Sequence, residues 1–342
     1  MKGKLRFAII GTGFWAQYQI PAWLELEGVE LIALYNRTKA KAQILADKYN
    51  IATVYDDIDA LFKNETLDFV DIITDVDSHP YFVTKATTYG VHIICQKPMA
   101  ASFELAERMV LLSKINGLKF FVHENFRWQA PIRKVKKLVE SNVIGTPFKA
   151  RVSFCSAFPV FDNQPFLATL DQFILTDIGS HVLDICRYLF GEVSSLYCQT
   201  YRVNPNIKGE DVANVLMQMQ SGLHCFVELS YASIYQRESF PQTFVLIEGS
   251  SGSICLTHDF EIMVTTKSGS SIEKIELKNY EWINPDYAVV HSSIVDCNRD
   301  ILQGLQGYAS ETTADDNLKT MKLVHSCYAS AMNNSLIKIT SH

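Results

Sequence analysis

Residues 5–16, LRFAIIGTGFWA, set a short apolar run directly against Gly11-Thr12-Gly13-Phe14-Trp15-Ala16, and a helix-like stretch follows at once. This is the G-x-G-x-x-G/A pattern, and no other feature constrains the fold as much. The first glycine permits a tight strand-to-helix turn, the second lets a pyrophosphate approach the backbone, and a small third residue lets helix and strand pack closely. An ordinary βα turn is the plainer reading of two glycines. Here the pattern opens a βαβ unit within the first fifteen or so residues, and that context selects dinucleotide binding by Gly11, Gly13 and Ala16, with phosphate on the helix N-terminus. Phe14 belongs to the same turn, and Trp15 either lines the mouth of the pocket or packs beside it.

Apolar runs alternate with helix-length amphipathic segments through the first 120 residues, which is the signature of a parallel sheet. Strands are expected at Leu5–Ile10, Val29–Tyr35, Phe69–Thr74, Val91–Cys95 and Lys119–Val122, with helices near 14–27, 38–49, 78–89 and 102–116. After residue 145 the texture changes. Stretches such as PFKARVSFCSAF and ANVLMQMQSGLHCFVELSYAS follow one another across short turns, so the second sheet should be large and mostly antiparallel, with a helix at about 177–190 and two more closing the chain. The expected class is an α/β N-terminal Rossmann domain with a doubly wound parallel sheet, residues 1–123, followed by an α+β domain, residues 124–342, for substrate binding and oligomerisation. A length of 342 residues fits two domains of about 150 each.

A hydrophobic share of 48% is ample for sizeable cores, and a net charge of −6 without clustered lysine and arginine argues against nucleic acid. The eight cysteines stand singly, as buried thiols of a reducing compartment do. Neither an export signal nor an apolar stretch of about 20 residues appears, so no membrane association and a cytoplasmic location are expected.

The choice between nicotinamide cofactors falls about 20 residues beyond the glycines, where a carboxylate favours the ribose 2′-OH and a basic residue a 2′-phosphate. This chain reads LIALYNRTKAK there, with Asn36 at the usual carboxylate position and Arg37 next to it. A guanidinium able to hold a phosphate bidentately, with no opposing charge, favours NADP over NAD. Arg37 stacking on adenine, or RTKAK as a solvated helix start, are the alternatives.

HIICQKPMA at 92–100 and LTDIGSHVLDICRYLFG at 175–191, taken with the glycine turn, resemble the glucose-fructose oxidoreductase, inositol dehydrogenase and MocA family. The similarity runs through NFRWQAPIRKVKKLVESNVIGTPFKAR, GEDVANVLMQMQSGLHCFVELS and VLIEGSSGSI, and so spans essentially the whole chain. It implies an NAD(P)-dependent oxidoreductase in which the lysine of E-K-P and the aspartate and histidine of D-x-G-x-H face the substrate, here Lys97, Asp177 and His181. Gln96 replaces the glutamate of E-K-P, keeping hydrogen-bonding capacity without charge. TDVDSHP retains Thr74 and His79 of a cofactor-side loop, with Asp75 and Val76 in place of proline and asparagine. Arg127 in ENFRW matches an arginine near the nicotinamide or substrate, and an ordinary ion pair is its other reading.

The residue types support that chemistry on their own terms. An alcohol that gives up hydride must also lose its hydroxyl proton, and a histidine is suited to take it, so His181 is the expected base. Asp177 lies four residues earlier on the same helical face, where it can orient the imidazole or hold a substrate hydroxyl. Lys97 follows a strand's C-terminal end, where its ammonium can hold the reacting oxygen. Asp177, His181 and Asp184 share helical spacing that a metal could use, but no further ligands stand at recognisable spacing, and no metal is expected. The expected partners are a small sugar, inositol or related polyol and a second copy of the chain, as homodimer or homotetramer. A non-catalytic dinucleotide-binding regulator and a redox-assisted glycoside hydrolase are the other readings, and the presence of Lys97 and His181 separates the enzyme from the pure binder.

Overall fold

A computed structural model of the chain describes residues 3–235, 240, 241 and 243–340. They form two compact units. The first is the chain up to Asn125 together with Ile294–Lys319, and the second is Phe126–Ser293 together with the chain from Thr320 onward.

The first unit alternates strand and helix in chain order: β1 (Leu5–Ile10), α1 (Ala16–Leu24), β2 (Val29–Tyr35), α2 (Lys39–Tyr49), β3 (Thr53–Tyr55), α3 (Ile58–Asn64), β4 (Phe69–Ile72), α4 (His79–Thr88), β5 (His92–Gln96), α5 (Phe103–Ile115) and β6 (Phe120–His123). Its six strands are all parallel, in the order β3-β2-β1-β4-β5-β6. β4 and β6 are buried along their whole length, as strands covered by helices on both faces must be. The order reverses between β1 and β4, which opens a crevice at the strands' C-terminal ends, where such sheets take ligands. β3 and α3 lie outside the elements expected from the sequence. The other strands and helices of this unit agree with expectation to within a few residues.

Phe7 of β1 and Phe69 of β4 stack with centroids 4.6 Å apart, and Trp23 of α1 lies 5.4 Å from each. The indole Nε1 donates to Asp71 Oδ2 at 2.8 Å. Asp71 has no exposed surface and its Oδ1 has no hydrogen-bond partner among the described residues, so burial pushes its carboxyl up to about 7. On the far edge of the sheet, the outer side of β6 is covered by the returning chain. Val122 N donates to Thr312 O at 3.0 Å. Lys119 Nζ donates to the carbonyls of Gly304 and Leu305, at the C-terminus of α9 (Ala288–Leu305), where a cation is favoured.

The second unit continues with α6 (Ala130–Glu140), β7 (Pro147–Cys155), α7 (Val160–Asn163), α8 (Ser180–Phe190), β8 (Val193–Tyr201), β9 (Val212–Met219), β10 (His224–Ser230), β11 (Thr243–Gly249), β12 (Gly252–Leu256), β13 (Glu261–Thr266) and β14 (Gly269–Lys274). It closes with the end of α10 (Ala314–Asn333) and β15 (Ile337–Lys338). The nine strands run in the order β14-β13-β12-β11-β7-β10-β9-β8-β15, antiparallel except that β7 and β10 pair parallel. β9 alternates strictly, with Ala213, Val215, Met217 and Met219 buried and the residues between them exposed, because only one face carries the core. That core includes Val182, Leu183, Ile185, Cys186 and Leu189 of α8, so the helix expected at about 177–190 packs into the core of this sheet.

Asp71 supplies a test of this packing. Asparagine reproduces the neutral carboxyl, accepting from the Trp23 indole and carrying no charge. A rise from 3.8 to about 7 corresponds to about 4 kcal/mol of stability that is present in acid and lost as pH climbs through 7. Asp71→Asn should therefore match the natural chain at pH 4 and melt several degrees above it at pH 8. Parallel Tm curves for the two proteins across that range would refute the assignment.

Candidate functional site

The dinucleotide side begins where β1 ends. Gly11 has φ +103°, and a Cβ there would lie 2.5 Å from the Ile73 carbonyl oxygen and 2.8 Å from Thr74 Cγ2 at the exit of β4. Only glycine fits this turn. Gly13 is different, since its φ is ordinary and a Cβ built on it meets nothing within 4 Å. The chain itself gives no steric reason for that glycine, and a ligand's pyrophosphate gives one. Ala16 is fully buried beneath the turn, while Phe14 and Trp15 lie edge to face at 5.3 Å and both lean on Tyr18. Two buried polar atoms along this edge have no hydrogen-bond partner among the described residues, Thr12 Oγ1 in the turn and Gln96 Nε2 at the end of β5. These groups fit a dinucleotide, which would occupy the open side of Gly13 and supply bonds to atoms that otherwise lack them.

Asn36 follows β2 directly. Its Oδ1 accepts from Thr12 N at 3.4 Å and its Nδ2 donates to Thr38 O at 3.0 Å, so the amide ties the end of β2 to the glycine turn. Arg37 beside it is exposed. On the other side of the crevice, Thr74 Oγ1 accepts from the Ser78 hydroxyl at 2.7 Å. His79 is buried, with Nδ1 3.2 Å from Met99 O and Nε2 3.2 Å from Thr74 O. Burial holds its imidazole below the usual range, so the ring is neutral and donates to one of the two carbonyls. His79 thereby spans the loop after β4 and the segment Lys97-Pro98-Met99 after β5. Lys97 stands half-buried at this same edge, one residue past the end of β5.

The second unit brings Asp177 and His181 together on one helix start, with a difference from the expected regular helix. Leu175–Gly179 is a π-helical turn that runs into α8, so Asp177 sits on a wider turn than His181 does. Such turns often mark functional sites. Gly179 suits it, since a Cβ there would come within 3.1 Å of both Ile174 O and Leu229 Cδ1. Asp177 Oδ2 accepts from the Tyr231 hydroxyl at 3.1 Å. Burial and that carboxylate push the Tyr231 phenol far up, so it stays a donor. His181 is buried and stacked on Phe126, with centroids 3.9 Å apart and planes within 5°. Tyr231 and Phe126 were not legible as site residues, because an aromatic residue at a strand or loop end carries no motif.

Arg127 stands one residue beyond Phe126, and its guanidinium is held by Asp184. Nε lies 2.7 Å from Oδ2, Nη2 bonds Oδ1, and both residues are buried. Asp184 also accepts from the Thr320 hydroxyl at 3.0 Å and lies 3.7 Å from Arg187, whose other nitrogens reach Glu192. Asp184 thus anchors Phe126-Arg127 to α8, and the guanidinium's bidentate fork is directed at a carboxylate. Among the described residues no group of three or more His, Cys, Asp or Glu is arranged to hold a metal ion.

A parallel sheet of this order with a glycine turn at its switch point is the dinucleotide-binding half of an oxidoreductase. Residues 5–124 match the GFO/IDH/MocA family, described as an oxidoreductase family with an NAD-binding Rossmann fold, and residues 132–255 match the GFO/IDH/MocA C-terminal domain. The chain belongs to that family, and it is a dehydrogenase of CH–OH groups. It is 39% identical to a D-apiose dehydrogenase of Rhizobium rhizogenes over 98% of both chains, and 38% identical to one of Paraburkholderia graminis over 99% of this chain and 90% of that one. An oxidoreductase from Agrobacterium radiobacter, solved with NAD+, L-tartaric acid and magnesium, superimposes with a TM-score of 0.95 at 39% identity over 98% of each chain.

The two glycines should separate cleanly on mutation. Gly11→Ala forces a positive φ and a backbone clash, at a cost of about 1–3 kcal/mol or more, and should lower Tm. Gly13→Val should leave Tm nearly unchanged while weakening NAD(P)H binding at least tenfold in a fluorescence titration. A Gly13→Val chain that binds normally would remove the pyrophosphate from that face.

Proposed function

We propose that the protein oxidises a hydroxyl-bearing carbon of a small sugar, with D-apiose or a sugar of like size the first candidate, and that it works with NADP in preference to NAD. The observation that carries the sugar reading is the 39% identity to a D-apiose dehydrogenase, which runs through both units rather than through the dinucleotide half alone. The nicotinamide, when bound, accepts hydride at C4. His181 takes the proton that the substrate hydroxyl loses, and Asp177, fixed by Tyr231, holds a neighbouring hydroxyl or orients the ring. Lys97 directs its ammonium to the reacting oxygen and stabilises the developing alkoxide. Phe126 limits the imidazole to one plane, which favours a single direction of proton transfer.

The NADP preference rests on Asn36 and Arg37. No carboxylate stands after β2 to repel a 2′-phosphate, the Asn36 amide is turned toward Thr12 and Thr38, and the exposed guanidinium of Arg37 is next in line. In a titration, NADPH should bind more tightly than NADH, and Arg37→Ala should erase the difference. Equal or tighter binding of NADH by the natural chain defeats the preference and leaves the sugar reading intact.

Turnover is followed at 340 nm with D-apiose and a panel of aldoses, ketoses and inositols. Lys97→Ala and His181→Ala should each lower kcat by about 10²- to 10⁴-fold with little change in dinucleotide affinity. A near-normal kcat in either variant removes that residue from the chemistry.

A further inference from the structure

Every α-helix begins with four backbone N–H groups that have no partner within it. In the helix that carries Asp177 and His181, the first internal bond runs from Asp177 N to Phe173 O at 2.9 Å, so the four are those of Phe173, Ile174, Leu175 and Thr176. All four are satisfied by two residues far away in sequence. Glu210 Oε2 accepts from Phe173 N at 3.2 Å, the Glu210 backbone carbonyl accepts from Ile174 N at 3.2 Å, and Glu210 Oε1 accepts from Leu175 N at 3.3 Å. The Tyr328 hydroxyl of α10 accepts from Thr176 N at 3.2 Å and donates to Glu210 Oε1 at 2.8 Å. Burial and the Glu210 charge push the phenol far up, so it keeps the proton it donates.

The close approach of the preceding glycine fixes where Glu210 stands. Gly209, just before Glu210, lies so close to the helix start that a Cβ would come within 2.8 Å of Leu170 O and 3.0 Å of Phe173 N. The carboxylate is buried and surrounded by donors alone: two amides and a phenol. Glutamine would turn an NH₂ toward one of them. The same helix start is the π-helical turn, and its N–H groups are aimed at acceptors set by β9's leading loop and by α10 rather than by its own preceding residues.

We propose that Glu210 and Tyr328 are positioning residues of the active site: they cap the helix start from outside and fix the rotation of the turn that sets Asp177 relative to His181. This rests on the catalytic roles given above for those two residues. A residue in an α-helix turns about 100° around the axis, so a one-residue slip of this turn carries the Asp177 carboxylate off the His181 face and away from Tyr231. Displacements of about 1 Å at a reacting centre lower rates by about 10²-fold.

The test uses Glu210→Gln and Tyr328→Phe in the full chain. Hydrogen exchange of residues 173–176 should accelerate in both, Thr176 most clearly in Tyr328→Phe. With a turned-over sugar, kcat per titrated active site should fall by about 10²-fold in Glu210→Gln and by less in Tyr328→Phe, with dinucleotide affinity unchanged. The deuterium isotope effect on kcat should rise, because hydride transfer becomes the slow step. Loss of folded protein alone lowers the titrated sites and moves neither the isotope effect nor the per-site rate. Unchanged exchange at 173–176 overturns the proposal, as does accelerated exchange with an unchanged per-site kcat and isotope effect. Should the natural chain turn over no sugar, the sugar reading fails by itself, and the His181 imidazole titration by NMR decides the clamp: an identical midpoint in all three proteins overturns it.

Discussion

The approach of β1 to β4 at Gly11 is the constraint on which the dinucleotide half depends. Its N–H bonds the last carbonyl of β2, that of Tyr35, at 2.8 Å, while its α-carbon faces the carbonyl of Ile73 beyond β4 with room for hydrogen alone. One residue therefore joins the two neighbours whose crossovers run in opposite directions. The crevice between them is a consequence of topology, but its width at the bottom is set by the missing Cβ. Asn36, Thr74 and Gln96 then fall on one edge because each stands at or just past the end of a strand in a sheet whose strands all point the same way.

Two buried carboxylates show how environment assigns roles to the same chemical group. Asp71 has a single indole donor in an otherwise apolar layer, and burial wins: the carboxyl is pushed up to about 7 and is neutral below that pH. Asp184 has a bidentate guanidinium, a hydroxyl and a second arginine within reach, and its charge is matched on every side. The first contributes to a core and tolerates ionisation poorly. Removing a partner from the second would strand a buried charge, which costs about 3–5 kcal/mol. Arg127, which stands where a cofactor or substrate contact was expected, thus holds Phe126 in place under the His181 ring.

Much of the first unit was legible in the sequence because its signals are local. The glycine turn, the period of the strands and the spacing of Lys97 behind β5 are each written within a few residues. β3 and α3 escaped notice, having three and seven residues, too few for a period to show. In the second unit the helix of Asp177 and His181 was legible and its π-helical turn was not, since five residues are too few for a different helical period to show. The partners of that helix were beyond sequence reasoning altogether. Tyr231 lies 54 positions from Asp177 and Tyr328 lies 152 from Thr176, and a single chain read in order gives no measure of such distances.

The segment Ile294–Lys319 gives the first unit a late finish. Its sheet is complete by residue 123, yet the outer side of β6 stays uncovered until Thr312 is in place to accept from Val122, and Lys119 has no helix end to bond until Gly304 and Leu305 arrive. A ribosome producing this chain at about 5–20 residues per second would carry that bare strand edge for some ten seconds or more, while eight of the nine strands of the second sheet, β7 to β14, are being made. An exposed parallel-sheet edge is a template for pairing with other chains. The nascent protein is thus most vulnerable in the interval between its two halves, and its last helices close the first domain as well as the second.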